Sequence, residues 1–141
     1  MTNPAMFLVM QQLRKFADEC RSASAQVARA GSLREVRDWG RVQPGSLISG
    51  LKHQVPELRQ LERRQEERAT SLVDEQLTQL KALALAGDKA GFDRRLGQLR
   101  QNDWVFLRGD HPGILHKIER ELARIEHESG PGRAPRGPGG P

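Results

Sequence analysis

The apolar residues near the start of the chain recur at alternating steps of three and four positions. This spacing places them on one face of an α-helix, as at the a and d positions of a coiled coil. We expect a helix of roughly 40 Å at 1.5 Å per residue, capped by Thr2 or Asn3 and stopped by a left-handed Gly31. The predicted buried seam consists of Met6, Val9, Leu13, Phe16, Cys20, Ala23, Val27 and Ala30.

The first two turns of this helix are apolar on nearly all sides. Phe7, Leu8 and Met10 lie beside the seam residues Met6 and Val9, so this end needs cover from more than one direction. The cover comes either from the core of the same domain or from a second copy. Because a two-fold partner covers such a helix more easily than the short helices of its own chain, we expect a homo-oligomer or a partner helix.

A helical corner is predicted after Gly31. Ser32 followed by Glu35 is a capping-box pattern, so a short helix begins here, with Leu33, Val36 and Trp39 facing inward, and ends before Gly40. Residues 43–46 break the chain, and a second short helix is expected over about 47–54. Its apolar residues are Leu47, Ile48 and Leu51.

Three further helices are expected beyond this corner. The first covers 56–87 and contains a charged and solvated stretch over 59–68. The second is capped by Asp88, and its residues Phe92, Leu96 and Leu99 face inward. The third covers 112–128. A loop around Trp104 separates the last two. The predicted apolar positions of the final helix are Leu115, Ile118, Leu122 and Ile125.

Composition supports a helical fold. The chain of 141 residues has four Phe, two Trp and no Tyr, which disfavours strands. Residues 130–141 are rich in Gly and Pro and have no apolar face to bury. The predicted fold class is therefore all-α: an elongated helical bundle or hairpin with coiled-coil-like long helices in one domain over 1–129, and a disordered tail over 130–141.

Net charge and cysteine content bear on the solubility of the protein and on the cellular compartment in which we expect it. The formal net charge is +5, but Arg133 and Arg136 belong to the tail, which leaves +3 for the rest, an ordinary value for a soluble domain. The lone Cys20 lies on the apolar seam and is expected to be a buried small hydrophobe in a reducing compartment. Since no leader peptide or membrane-spanning run is recognised, we expect a cytoplasmic protein without membrane contact.

Residue patterns for catalysis or cofactor binding are weak in this chain. The histidines His53, His111, His116 and His127 form no metal-ligand spacing, and Gly87 to Gly91 do not form a phosphate-binding loop after a strand. We therefore expect no metal, no cofactor, no small-molecule substrate and no enzymatic activity. Trp104 and Phe106 near several arginines are a candidate for stacking on single strands, with loop packing as the alternative.

Residues 32–52 carry the one resemblance to a known functional unit. Leu33, Val36 and Trp39, then Val42, then Leu47 and Leu51 follow the apolar pattern of a helix-turn-helix. The segment resembles the DNA-binding segment of the lactose-repressor class, with Gly40 supplying the left-handed turn one residue early. The resemblance implies that a set of polar residues faces the major groove or the phosphates: Gln43, Ser46, Ser49, Lys52 and His53.

Two functional hypotheses follow from these patterns. In the first, the protein is a small DNA-associated accessory or regulatory factor that acts as a helical dimer on duplex DNA, with Arg34, Arg37, Arg41 and Lys52 on phosphates. In the second, the corner only packs onto the long helices, and the protein is an interaction adaptor whose apolar first helix binds a partner helix.

Overall fold

The computed structural model describes residues 3–129, and every regular element within this range is a helix, which confirms the all-α class. The predicted disordered tail over 130–141 lies outside the described residues. The α-helices are α1 (Pro4–Ala28), α2 (Leu33–Trp39), α3 (Pro56–Leu85), α4 (Lys89–Gln98) and α5 (Pro112–Ser129). Shorter segments are a 3-10 helix (Ser46–Gln54), a π turn (Leu99–Asp103) and a second 3-10 turn (Trp104–Leu107).

Close contacts divide the chain into two compact units. The first runs from Met1 to Ala69 and the second from Thr70 to Pro141, so α3 contributes residues to both. The prediction of one domain over 1–129 stays a prediction. Among the helices of the described range, none combines enough length with enough apolar sequence to cross a bilayer.

Helix α1 begins where the sequence predicts and ends slightly earlier. Asn3 is the N-cap, and its side chain accepts a hydrogen bond of 2.9 Å from the amide of Ala5. The helix closes at Arg29, whose amide donates to the carbonyls of Gln26 and Val27. The prediction of a left-handed Gly31 is wrong, because Gly87 and Gly109 are the glycines with positive φ in the described range.

Only the second half of the predicted seam is fully buried. Phe16, Cys20, Ala23, Val27 and Ala30 are at most 5% exposed. Val9 and Leu13 are intermediate, and Met6 is 57% exposed. The expectation of burial along the whole helix is therefore wrong for its first two turns, where Met6, Phe7, Leu8 and Met10 remain about half exposed.

The capping box at the start of α2 is confirmed with one shift. The Ser32 hydroxyl accepts from the Glu35 amide at 3.1 Å, and the Glu35 carboxylate accepts from the amide of Gly31 at 2.9 Å rather than from that of Ser32. Leu33 and Val36 are buried as predicted, whereas Trp39 is 39% exposed. The inward position predicted for Trp39 is wrong because the helix ends at this residue.

The second part of the corner is a 3-10 helix rather than an α-helix. Gly40 has a φ of −85°, so the left-handed turn expected at Gly40 is absent. The 3-10 helix packs against α1, as α2 does. It buries Ile48 completely and leaves Leu47 50% exposed, so the predicted burial of Leu47 is also wrong.

Polar side chains of α3 tie this helix to the corner. Gln65 donates to the carbonyl of Val36 at 3.2 Å, and Arg68 donates to the carbonyl of Ala30 at 2.8 Å. Both carbonyls belong to residues that are themselves almost fully buried. Part of the stretch expected to be a solvated face thus supplies hydrogen bonds that hold the first unit together.

The second unit is built from the end of α3 together with α4 and α5. Helix α3 ends in a Schellman motif, in which Gly87 at φ 73° donates to Ala84 and the amide of Asp88 donates to Leu83. The Asp88 side chain then caps α4 by accepting from Gly91 at 2.9 Å. The core of this unit comprises Leu72, Val73, Leu77, Leu80, Phe92, Leu99, Trp104, Leu107, Ile114, Ile118, Leu122 and Ile125.

Gly97 offers a stabilising substitution. A Cβ at Gly97 meets no atom within 4 Å, so Gly97→Ala is expected to stabilise the protein by about 0.5–1 kcal/mol through helix propensity. At Gly91 of the same helix, a Cβ would overlap the capping carboxylate of Asp88, so Gly91→Ala is expected to give no gain. Thermal unfolding followed by circular dichroism measures both; equal shifts for the two variants would contradict the packing described here.

Candidate interaction surface

The first two turns of α1 form an exposed apolar end. Met6, Phe7, Leu8 and Met10 are 57%, 55%, 46% and 45% exposed. No charged residue occurs between Pro4 and Leu13, so the side chains of this part of the helix cannot form ion pairs. We call these four residues the apolar end. Monomeric proteins seldom expose several large apolar side chains side by side, and such patches commonly mark binding sites.

A groove continues from the apolar end along the first unit. It has a volume of about 300 Å³ and lies between α1, the end of the 3-10 helix and the start of α3. Met10 belongs both to the apolar end and to the groove, so the two are continuous. The groove is lined by Met10, Leu13, Arg14, Ala17, Leu51, Gln54, Val55, Pro56 and Glu57.

Two of the predicted DNA-contacting arginines pair with one carboxylate. Asp38 accepts a hydrogen bond of 2.9 Å from Arg37 and lies 3.6 Å from Arg34. The hydrogen bond from Arg37, together with the positive charges of Arg37, Arg34 and Arg41, lowers the pKa of Asp38. Asp38 therefore neutralises part of the charge of Arg34 and Arg37.

The other residues of the DNA hypothesis lie on different parts of the corner. Gln43 shares a shallow pocket with Arg41 and the half-exposed Trp39. Ser46 and Ser49 are exposed on the 3-10 helix, where the Ser49 hydroxyl donates to the carbonyl of Ser46 at 3.2 Å. Lys52 is half-buried, and His53 is exposed on the same helix.

Trp39 is a surface residue that the sequence pattern assigned to the core. Tryptophan and arginine are over-represented among residues that dominate binding energy at interfaces, and Trp39 adjoins Arg41 at the pocket edge. The signal available in the sequence was the position of Trp39 immediately before Gly40, because a residue in the last turn of a short helix is covered on fewer sides.

The second nucleic-acid candidate does not have an exposed tryptophan. Trp104 is 3% exposed, and its indole N–H donates to Gln76 at 2.8 Å. Gln76 in turn donates to Asp103 at 2.8 Å. Phe106 is half-buried. Since stacking on a base needs an accessible ring face, Trp104 acts as a core residue here, as in the loop-packing alternative.

Cys20 is held inside the first unit and is expected to be chemically inert. It is 0% exposed, and its burial, with the nearby carboxylate of Glu57, raises the pKa of the thiol to about 11. We expect a disulfide reagent such as Ellman's reagent to leave Cys20 unmodified at neutral pH and to react with it at once in guanidinium. Rapid stoichiometric reaction of the native protein would contradict the burial.

The same pKa shift predicts how stability depends on pH. A thiol in the unfolded chain loses its proton near pH 9, whereas native Cys20 keeps it up to about pH 11. The unfolded state is therefore favoured progressively between these values. Denaturation midpoints of Cys20→Ala, compared with those of the wild type, are expected to fall less over this interval; parallel curves would contradict the shift.

Among residues 3–129, no three side chains of His, Cys, Asp or Glu are close enough together to form a metal site. Comparison with known proteins gave no match to a protein family, to a curated protein or to a solved structure.

Proposed function

We propose that the protein is a cytoplasmic interaction adaptor that binds its partner through the apolar end of α1. The observation that supports this proposal is the exposure of Met6, Phe7, Leu8 and Met10, each at 45% or more. Burying one such side chain contributes about 1.5–3 kcal/mol relative to full exposure. A partner that covers several of them thus gains enough free energy to offset part of the cost of association.

Capture of partners with matched variants tests this role. The double variant Met6→Asp with Phe7→Asp places two charges on the apolar end, and we expect it to lose a captured partner protein by at least tenfold. Leu85→Asp is the control, because Leu85 is 85% exposed on α3 in the second unit. Since apolar burial is not screened by salt, binding by the wild type is expected to persist in 1 M salt. Equal capture by all three proteins would contradict the proposal.

Binding to duplex DNA is the second candidate function, because Arg34, Arg37 and Arg41 follow one another along α2 and the turn after it, and Arg34 and Arg37 pair with the carboxylate of Asp38. If these arginines contact phosphates, the affinity for random duplex falls steeply with salt, with a slope of roughly −0.9 per neutralised phosphate. Arg41→Gln is expected to reduce that slope by about one. Arg94→Gln, an exposed change in the second unit, serves as the control. Absence of binding even at low salt would rule this candidate out.

A further inference from the structure

We propose that Met6 and Met10 form a site of reversible oxidation that switches off binding at the apolar end of α1. The oxidant is a peroxide, which converts the methionine thioether into its sulfoxide. This regulation rests on the proposed interaction role, because it acts on the surface that the role uses. Oxidation turns a flexible apolar side chain into a polar one and so disrupts surfaces that bind through methionine.

Both methionines are open to a dissolved oxidant. Met6 is 57% exposed and Met10 is 45% exposed, and they are two of the three methionines in the chain. Their separation of four residues places them one turn apart on the same face of α1. Met10 also lines the groove that continues from the apolar end. A peroxide therefore reaches both side chains without local unfolding, and both products lie on one binding surface.

The oxidation transfers one oxygen atom and two electrons. A lone pair of the methionine sulfur attacks one oxygen of hydrogen peroxide, the O–O bond breaks, and the second oxygen leaves as water after proton transfer. Reduction needs two electrons and two protons. A methionine sulfoxide reductase supplies them from a dithiol, which becomes a disulfide, and water is released. Because each reductase acts on one epimer of the sulfoxide, complete recovery requires both types.

The remaining sulfur atom among residues 3–129 is protected from the same oxidant. It belongs to Cys20, which is 0% exposed and has a thiol pKa raised to about 11. Since the thiolate is the form that peroxides attack, native Cys20 is almost entirely in the unreactive form at neutral pH. Within the described range, oxidation at sulfur is therefore directed to Met6 and Met10.

Oxidation at these positions changes the surface without removing a core residue. The buried residues of α1 begin at Phe16, so the thermal unfolding midpoint is expected to stay the same. The sulfoxide oxygen is a hydrogen-bond acceptor that water satisfies in the free protein. A partner that covers the apolar end has to remove this water, and burial of a polar group without a hydrogen bond is unfavourable. We therefore expect oxidation to weaken partner binding by at least about tenfold.

Peptide mapping by mass spectrometry tests the oxidation site. After treatment of the dilute full-length protein with hydrogen peroxide, Met6 and Met10 are each expected to gain one oxygen at a rate within about threefold of that of free methionine. Cys20 is expected to stay unmodified. Both reductases together with a dithiol are expected to restore the original masses. Oxidation of Met6 and Met10 more than about tenfold slower than that of free methionine, or failure of the reductases to reverse it, would overturn the proposal.

Partner capture with matched variants tests the switch. The double variant Met6→Leu with Met10→Leu keeps the surface apolar but cannot be oxidised, whereas Met6→Gln with Met10→Gln imitates the polar product. Peroxide is removed before the partner is added. Capture by the wild type is expected to fall at least about tenfold after oxidation, capture by the leucine variant to stay unchanged, and the glutamine variant to bind weakly without treatment. An equal loss for the wild type and the leucine variant would contradict the switch.

The outcomes separate this proposal from the interaction role on which it rests. If the oxidised wild type keeps a partner that Met6→Asp with Phe7→Asp loses, the switch is wrong and the adaptor role stands. If that aspartate variant captures as much as the untreated wild type, the adaptor role fails and the switch fails with it. The peptide masses then decide the oxidation chemistry alone.

Discussion

Replacement of Trp104 by alanine is expected to lower the free energy of unfolding by about 3–5 kcal/mol, the usual range for a buried aromatic residue. Trp104 is 3% exposed and begins the 3-10 turn that precedes α5. It packs in the core of the second unit with Leu99 and Leu107, both almost fully buried. Removing the indole therefore leaves a cavity and also deprives Gln76 of its hydrogen-bond donor.

A second substitution separates packing from hydrogen bonding at this position. Trp104→Phe keeps one six-membered ring in the core but leaves the Gln76 side-chain oxygen without the indole donor, and the loss of this donor is expected to cost about 1–3 kcal/mol. Chemical denaturation followed by circular dichroism gives both values. If Trp104→Ala lowers stability by less than about 1 kcal/mol, the indole is not part of the core, and its role in binding single strands would need to be considered again.

Replacement of Gly40 by alanine is the second large expected effect, about 1–3 kcal/mol of destabilisation. Gly40 has an ordinary φ of −85°, so its backbone conformation does not require glycine. Glycine matters here because the side chain of Gln65 lies so close to Gly40 that a Cβ would overlap it. Moving Gln65 breaks its hydrogen bond to the buried carbonyl of Val36.

Gly50 provides the matched control for this prediction. It lies in the 3-10 helix of the same corner, and a Cβ there meets no atom within 4 Å. Gly50→Ala is therefore expected to change the free energy of unfolding by less than about 0.5 kcal/mol. Urea denaturation of both variants supplies the comparison. Equal effects at the two positions would show that Gln65 does not pack over Gly40.

The elements that follow from short-range signals agree well with the structure. The cap at Asn3, the capping box of Ser32 and Glu35, and the cap at Asp88 each depend on a side chain and a backbone amide only two or three residues away. Such contacts form wherever a helix begins, so the sequence alone is enough to locate them.

The differences arise where long-range packing decides the outcome. The spacing of apolar residues predicts which side of α1 is apolar. Only the arrangement of the other helices decides that Phe16 is buried and Met6 is exposed. The same reason applies to Trp39, whose burial depends on how soon α2 ends. The region around Trp104 was expected to be a loop and is helical, since tertiary packing of Trp104 and Leu107 outweighs weak local propensity.

The candidate site was only partly visible in the sequence. The pattern identified an apolar end that needs cover, yet it did not reveal the groove formed with Leu51 and Val55, which come from segments distant along the chain. Likewise, the arginines were identified singly, whereas the pairing of Arg34 and Arg37 with Asp38 depends on the short helix α2. Such sites depend on how segments distant along the chain pack together, and the sequence pattern of one segment does not show this packing.

Solvent footprinting of the dilute protein tests most directly whether the apolar end of α1 is uncovered by its own chain. Carbene or hydroxyl-radical labelling at nanomolar concentration, read by mass spectrometry, compares residues of one helix under identical conditions. We expect heavy labelling of Met6, Phe7 and Met10 and strong protection of Phe16, which is 2% exposed. Protection of Met6 and Phe7 equal to that of Phe16 in the monomer would contradict the account.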